Sequence, residues 1–305
     1  MATQGRNNAI DLLKILMAIL VISIHTITPD GVFDYLLTQS VARVAVPFFF
    51  IAAGYYFTAN PRSVDIKKAV FRLATLYIAW CVFYLPFEIS DISTKPLSAS
   101  GYLWESLYIF VKGWRHLWFM PALILGIAVY YLLHSNKKVN IIAFSLYAIG
   151  FMIQSNIEHG EYSILFYRNF LTFGFPLIAM GAALKKQRLS FKTGYPGLAV
   201  LLLLTVMLLL EGFSRLKLGI YDNDLLLLAP FVAVYTFVLT LNVNINLPFN
   251  IACTASSIYF VHYFFYLILK SHIANQFLLF FAVSVLSLLF GLTLNRLSVY
   301  RRFFT

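Results

Sequence analysis

The stretch "AIDLLKILMAILVISIHT", Ala9 to Thr26, decides how the whole chain is read. It is long and apolar enough to cross the hydrocarbon core of a bilayer, which takes about 20 residues of helix. It nevertheless carries Asp11, Lys14 and His25. The surrounding composition says which solvent this stretch meets. Of 305 residues, 61% are hydrophobic, 17% aromatic and only 11% charged, against about 25% charged in a soluble chain. The expected fold class is an all-α integral membrane protein.

Further apolar runs of spanning length fall near 9–28, 40–58, 69–88, 116–134, 139–155, 168–184, 195–212, 224–242, 253–270 and 275–295, about ten transmembrane helices. Turn-forming clusters separate them, among them "TPDG" (Thr28–Gly31), "TANPRS" (Thr58–Ser63), "SNIEHGE" (Ser155–Glu161) and "NVNINLP" (Asn242–Pro248). The one long connection, Ile89 to Arg115, contains the partly amphipathic "YLWESLYIFVKGW" and reads as holding a short interfacial helix. No internal repeat or soluble segment is visible, so residues 1–305 are expected to form one membrane domain. The first run is not followed by a small-x-small cleavage site, so it is expected to be retained.

Numbering the loops alternately separates the charges by sign. One set carries Arg6, Arg62, Lys67, Lys68, Arg72, Lys137, Lys138, Lys185, Lys186, Arg188, Lys192, Arg296, Arg301 and Arg302. The opposite set carries Asp30, Asp34, Glu88, Asp91, Glu105, Glu158, Glu161, Asp222 and Asp224. Both termini are therefore expected to be cytoplasmic. The same asymmetry explains most of the net charge of +11, and no aromatic-interleaved basic groove accompanies it, so no nucleic-acid partner is expected. Cys81 and Cys253 lie far apart inside apolar runs and read as small buried hydrophobes. They suggest neither a disulfide nor a metal site.

A charge near the bilayer centre costs about 2.5–3.5 kcal/mol on the lenient insertion scale, so each intramembrane charge needs a partner, a route to water or a task. Asp11 and Lys14 lie near a helix end, where an i,i+3 ion pair is as plausible as a role in a site. His25 follows Lys14 by eleven residues, which returns to within about 20° of the same helix face and about 16 Å further along the axis. The two thus share one stripe that ends near opposite membrane surfaces. His262 in "SSIYFVHYFFYLILK" (Ser256–Lys270), with Tyr259 at i−3, reads either as a site residue or as a hydrogen bond between helices. Arg43 in "VARVAVPFFFIAAGYYF" (Val41–Phe57) and Arg168 each precede an apolar run. Either arginine has the choice of snorkelling outward or turning inward. His116 and Trp118 in "HLWFMPAL" (His116–Leu123) fall at an expected outer boundary, where an interface anchor is the plain alternative.

These residues carry a resemblance. Asp11-x-x-Lys14 followed by His25 resembles the start of the acyltransferase-3 family of membrane acyltransferases, where Asp-x-x-Arg-x(10)-His is usual. "RVAVPFFFIAAGYYF" is similar to the family's Arg-x-x-Val-Pro-Phe-Phe-Phe-x-x-Ser-Gly-Tyr stretch, with Ala53 in the place of the serine. The basic loop with Lys67, Lys68 and Arg72, then "HLWFMPALI" and "IYFVHYFF", follow in the family's order over essentially the whole chain.

The resemblance implies transfer of an acetyl or similar short acyl group from cytoplasmic acyl-coenzyme A to a hydroxyl of a cell-surface or lipid-linked carbohydrate. It also implies residence in a bacterial inner (cytoplasmic) membrane. The acyl donor is acetyl-CoA used as co-substrate, the partners are a carbohydrate or glycolipid acceptor and membrane lipids, and no metal is called for. The form expected is one without an extracytoplasmic hydrolase-like domain. Within that chemistry His25 is the candidate base or acyl carrier, and Asp11 is a catalytic candidate undecided between an orienting partner and a helix-end ion pair. Lys14, Lys67, Lys68 and Arg72 are candidates for the coenzyme phosphates. Arg43, Tyr259 and His262 are candidate donors to the oxyanion. His116 and Trp118, with the aromatic outer loop, are candidate acceptor contacts. The competing class is a transporter or flippase for a lipid-linked sugar, although the paired broken helices and inverted repeats of transporters are not evident.

Overall fold

A computed structural model of the chain describes residues 7–57, 63–96, 98–157, 163–187, 194–247, 251 and 253–303. The loop charges Arg6, Arg62, Glu158, Glu161, Arg188 and Lys192 lie outside them, and the side chains of Arg301 and Arg302 are likewise outside. Among the described residues the chain forms helices and no strand. Eight helical segments are long and apolar enough to cross a membrane. They are α1 (Asn8–Thr26), α2 (Val32–Phe57), α3 (Ser63–Ser93, spanning from Ile66), α5 (Arg115–Leu133), α6 (Val139–Asn156), α7 (Ile164–Gln187), α8 (Tyr195–Lys217) and α11 (Gln276–Leu294). Two shorter apolar helices, α9 (Ala229–Leu241) and α10 (Thr254–Leu269), complete the ten that the apolar runs called for. The long connection does hold a helix, α4 (Ala99–Lys112), started by the Ser98 hydroxyl, which accepts from the Gly101 amide.

Several boundaries differ from the sequence expectation, three of them near the site's elements. The second span begins at Val32 rather than near 40, because the chain turns sharply after Thr26 and resumes helix at once. The third runs on to Ser93, carrying Pro86 inside it. The eighth does not begin at 224. Pro230 stands in the first turn of α9, where its missing N–H costs nothing, and the residues before Ala229 form an irregular loop.

Helix α1 packs on α10 and α11, and α2 packs on α7. The second contact is backbone on backbone: a Cβ on Gly54 would stand 2.1 Å from the Ile178 carbonyl oxygen, and one on Gly181 would stand 2.0 Å from that of Ile51. Without a hydrophobic drive between helices in lipid, such small-residue contacts are what let two spans lock together. Near the far end of this locked pair each helix loosens into a π turn, Leu37–Val41 in α2 and Phe170–Gly174 in α7. One extra residue per turn rotates the following side chains and leaves backbone groups free for other partners. Arg43 lies just after the first π turn, and Arg168 just before the second.

Candidate active site

His25 stands in the last turn of α1. Its ring centroid lies 5.3 Å from that of His262 on α10 and 5.4 Å from that of Tyr263. His116, in the 3-10 turn that opens α5, is 5.0 Å from His262. Three histidines that are far apart in sequence therefore meet at one place.

Two of their tautomers are fixed. His262 Nδ1 lies 2.6 Å from the Tyr259 carbonyl oxygen and 3.2 Å from that of Ile258. A carbonyl only accepts, so Nδ1 carries the proton and buried Nε2, which has no partner, presents a lone pair. His116 donates from Nε2 to the Phe260 carbonyl at 3.2 Å, and its buried Nδ1 is likewise unpartnered. Tyr259 donates its hydroxyl proton to the His116 carbonyl at 2.6 Å. The Tyr259 hydroxyl proton and the His262 Nδ1–H are thus both taken up by backbone carbonyls.

Arg43 turns inward. It donates from Nη1 to Asp224 Oδ1 at 2.5 Å and from Nη2 to Gln39 Oε1 at 2.6 Å. Arg168 donates from Nη1 to both oxygens of the same carboxylate, at 3.2 and 3.1 Å, and its guanidinium lies 4.9 Å from the Trp118 ring centroid. Burial pushes the Asp224 carboxyl upward in pKa, and the two guanidiniums overcome that and hold it below the ordinary carboxylate value. Asp224 was legible in the sequence only as one acid of an outer loop.

A chamber of about 50 Å³ is lined by His25, His116, Tyr259, Arg43, Arg168, Asp224 and Trp118, together with Val21, Ile24, Val46 and Phe173. His116 is 1% exposed, and Trp118 packs on Phe173 at 5.6 Å between centroids. Both were expected on an outer surface open to a sugar. The structure moves them to the chamber wall, because the 3-10 turn at Arg115–Trp118 tucks this segment beneath α10.

Two larger cavities adjoin the chamber. On the face where α1 begins, a groove of about 500 Å³ has Lys14, Lys68 and Arg72 among its lining, an apolar floor that includes Phe49, Leu73, Leu76, Phe119 and Phe260, and Tyr259. Lys67 is exposed and does not line it. Lys14 reaches Asp11 at 3.3 Å and lies 5.3 Å from the Tyr56 ring centroid, so the i,i+3 ion pair is formed. On the opposite face a vestibule of about 770 Å³ is lined by His25, Thr28, Asp30, Lys270, Ser271 and Gln276 among others. Tyr259 belongs to both groove and chamber, and His25 to both chamber and vestibule.

A family model described as an acyltransferase domain matches residues 7–296. The chain belongs to the acyltransferase-3 family. Members of that family are membrane acyltransferases, in keeping with the multi-pass fold. A serine/alanine racemase of Enterococcus gallinarum is 30% identical over 268 residues, covering 77% of this chain and 37% of the relative. An amino-acid racemase of Enterococcus faecalis is 34% identical over 161 residues, 48% of this chain and 23% of that protein. A second amino-acid racemase of Enterococcus faecalis is 30% identical over 156 residues, 47% of this chain and 21% of that protein. The aligned region spans well under half the length of these curated relatives. No solved structure matches the chain significantly.

Proposed function

We propose that this chain is a membrane O-acyltransferase that takes an acetyl group from acetyl-coenzyme A on the cytoplasmic side and gives it to a hydroxyl of a carbohydrate reached from the other side. One observation carries the reading: three cavities share wall residues in succession, Tyr259 between groove and chamber, and His25 with Ile24 between chamber and vestibule. Positive-inside charge supports cytoplasmic termini, and with them a groove that opens to the cytoplasm. A bacterial inner membrane follows from the same family chemistry.

The groove suits the donor. Its cations Lys14, Lys68 and Arg72 match the phosphates of a coenzyme, and its apolar floor matches the thin pantetheine arm that leads inward. The chamber suits a small acyl group. A single water needs about 10–15 Å³ of such space, so about 50 Å³ takes only a few heavy atoms. An acetyl group fits, and a long acyl chain does not.

With the thioester carbonyl in the chamber and the acceptor hydroxyl entering from the vestibule, His25 is, among the described residues, the titratable side chain that lines both compartments. It acts as the general base. The hydroxyl oxygen bonds to the acyl carbon as its proton passes to His25. The carbon–sulfur bond then breaks, and the thiolate of coenzyme A recovers the proton from His25. The His262 ring, pinned by its Nδ1 bond to the Tyr259 carbonyl, stands 5.3 Å between centroids from that of His25 and limits how that ring turns. The racemase names of the relatives describe those longer proteins and assign no step here.

The test is to incubate purified protein with radiolabelled acetyl-coenzyme A and an extract of cell-envelope glycolipids. Acyl transfer gives acceptor-dependent release of free coenzyme A and label on a glycan. A transporter or flippase leaves the thioester intact, and that result would end this reading.

A further inference from the structure

Asp224 has no place in the scheme above, yet few residues in the molecule are held so firmly. It sits in the irregular loop between α8 and α9, where backbone that is not helical is tolerated at membrane depth only if protein satisfies it. Around Asp224 protein does so on both sides. Gln154 brackets Leu225, accepting from its amide and donating to its carbonyl, each at 2.8 Å. Tyr147 donates to the Leu226 carbonyl at 2.8 Å, and the Glu211 carboxylate accepts from the Leu227 and Leu228 amides. On the other flank Asn223 donates to the Tyr35 hydroxyl at 2.7 Å and accepts from Arg215 at 3.1 Å. Gln39, which accepts from Arg43, also accepts from the Asn223 amide at 3.3 Å.

The carboxylate so fixed holds two guanidiniums, and one negative charge against two positive ones leaves a net positive charge on the chamber wall. Among the described residues no other carboxylate lines the chamber. Each arginine also keeps its Nε–H buried and without a partner. A buried unsatisfied donor costs about 1–3 kcal/mol, which a structure tolerates where a ligand completes it.

From this we infer that Arg168 and Arg43 form the subsite for the acyl carbonyl oxygen, and that Asp224 is the positioning residue that sets both guanidiniums. The inference rests on the acyl-transfer reading above. As the acceptor oxygen bonds to the acyl carbon, the carbonyl electron pair moves onto its oxygen, and that oxyanion meets preformed donors. It returns as the carbon–sulfur bond breaks, with no net change at the arginines. Pre-set donors act on the transition state more than on the bound thioester, so their loss falls on kcat rather than KM.

The experiment compares wild type, Arg168→Lys and the double variant Arg168→Gln/Asp224→Asn, measuring coenzyme A release from acetyl-coenzyme A with the envelope glycolipid extract, and thermal unfolding in detergent. Arg168→Lys keeps the charge and loses the planar fork. It should stay folded, hold the donor KM within about 2-fold and lower kcat by about 10²-fold. The double variant keeps the site's net charge, since it removes one cation with one anion. It should melt near wild type and remain as slow as Arg168→Lys. Wild-type kcat in Arg168→Lys, or turnover restored with stability in the double variant, would overturn the inference. A double variant that does not fold leaves Arg168→Lys to decide. Absence of coenzyme A release by wild type would instead sink the acyl-transfer reading itself.

Discussion

Two groups of cations line the path through this membrane domain, and they are built in opposite ways. At the groove mouth Lys68 and Arg72 are exposed, and Lys14, 29% exposed, pairs with Asp11 on its own helix. In the chamber Arg43 and Arg168, at 12% and 18%, converge from different helices on Asp224, at 10%. An exposed ion pair is worth about 0–1 kcal/mol, whereas removing one partner of a buried pair costs about 3–5 kcal/mol. The mouth is therefore suited to catching a mobile polyphosphate and letting it go. The chamber is suited to holding donors still while charge develops.

That contrast is open to being broken. The largest effect is expected for Asp224→Ala, which leaves two buried guanidiniums without their carboxylate. Unfolding in detergent should show a loss of about 3–5 kcal/mol together with loss of turnover, and a stable, active variant would dissolve the distinction between the two groups. Gly181→Ala comes next. Its methyl group meets the Ile51 carbonyl, and forcing α2 from α7 should cost about 1–3 kcal/mol in the same melt while misaligning both arginines. A smaller effect is expected at the mouth. Lys14→Ala should raise the donor KM about 10-fold, equivalent to about 1.4 kcal/mol, with kcat and melting temperature nearly unchanged. The difference should shrink in high salt, because exposed charges are screened. The smallest and sharpest contrast is within one turn of α3. Lys68→Ala should raise the donor KM several-fold, and Lys67→Ala should change it by less than about 2-fold.

The same contrast explains what was legible in the sequence. Each apolar run does hold a helix, eight of them among the described residues long enough to cross a membrane, because hydrophobic length is a local property of the chain. Positive loops and the Asp11–Lys14 spacing were legible for the same reason. The grouping of His25, His116 and His262 was not, because it depends on how α1, α5 and α10 pack rather than on any one segment. The inward turn of Arg43 and Arg168 depends on Asp224, which a distant part of the chain brings between them. Asp224 was hidden most completely. In "YDNDLLLL" it looks like the wet end of a span, and it is hydrogen bonds between that loop and Gln154, Tyr147, Tyr35 and Glu211 that hold it against the protein. Trp118 has the composition of an interface anchor and instead lies against Arg168.

The central claim is that His25 handles the proton where chamber and vestibule meet. Replacing it with alanine removes no charged partner of the Arg43–Asp224–Arg168 cluster and leaves the groove intact. The decisive measurement is acetyl transfer by His25→Ala, made on protein shown to be inserted, folded and still able to bind acetyl-coenzyme A. The account predicts donor affinity within about 2-fold of wild type and turnover lower by about 10²–10⁴-fold. Wild-type turnover in that variant would contradict it.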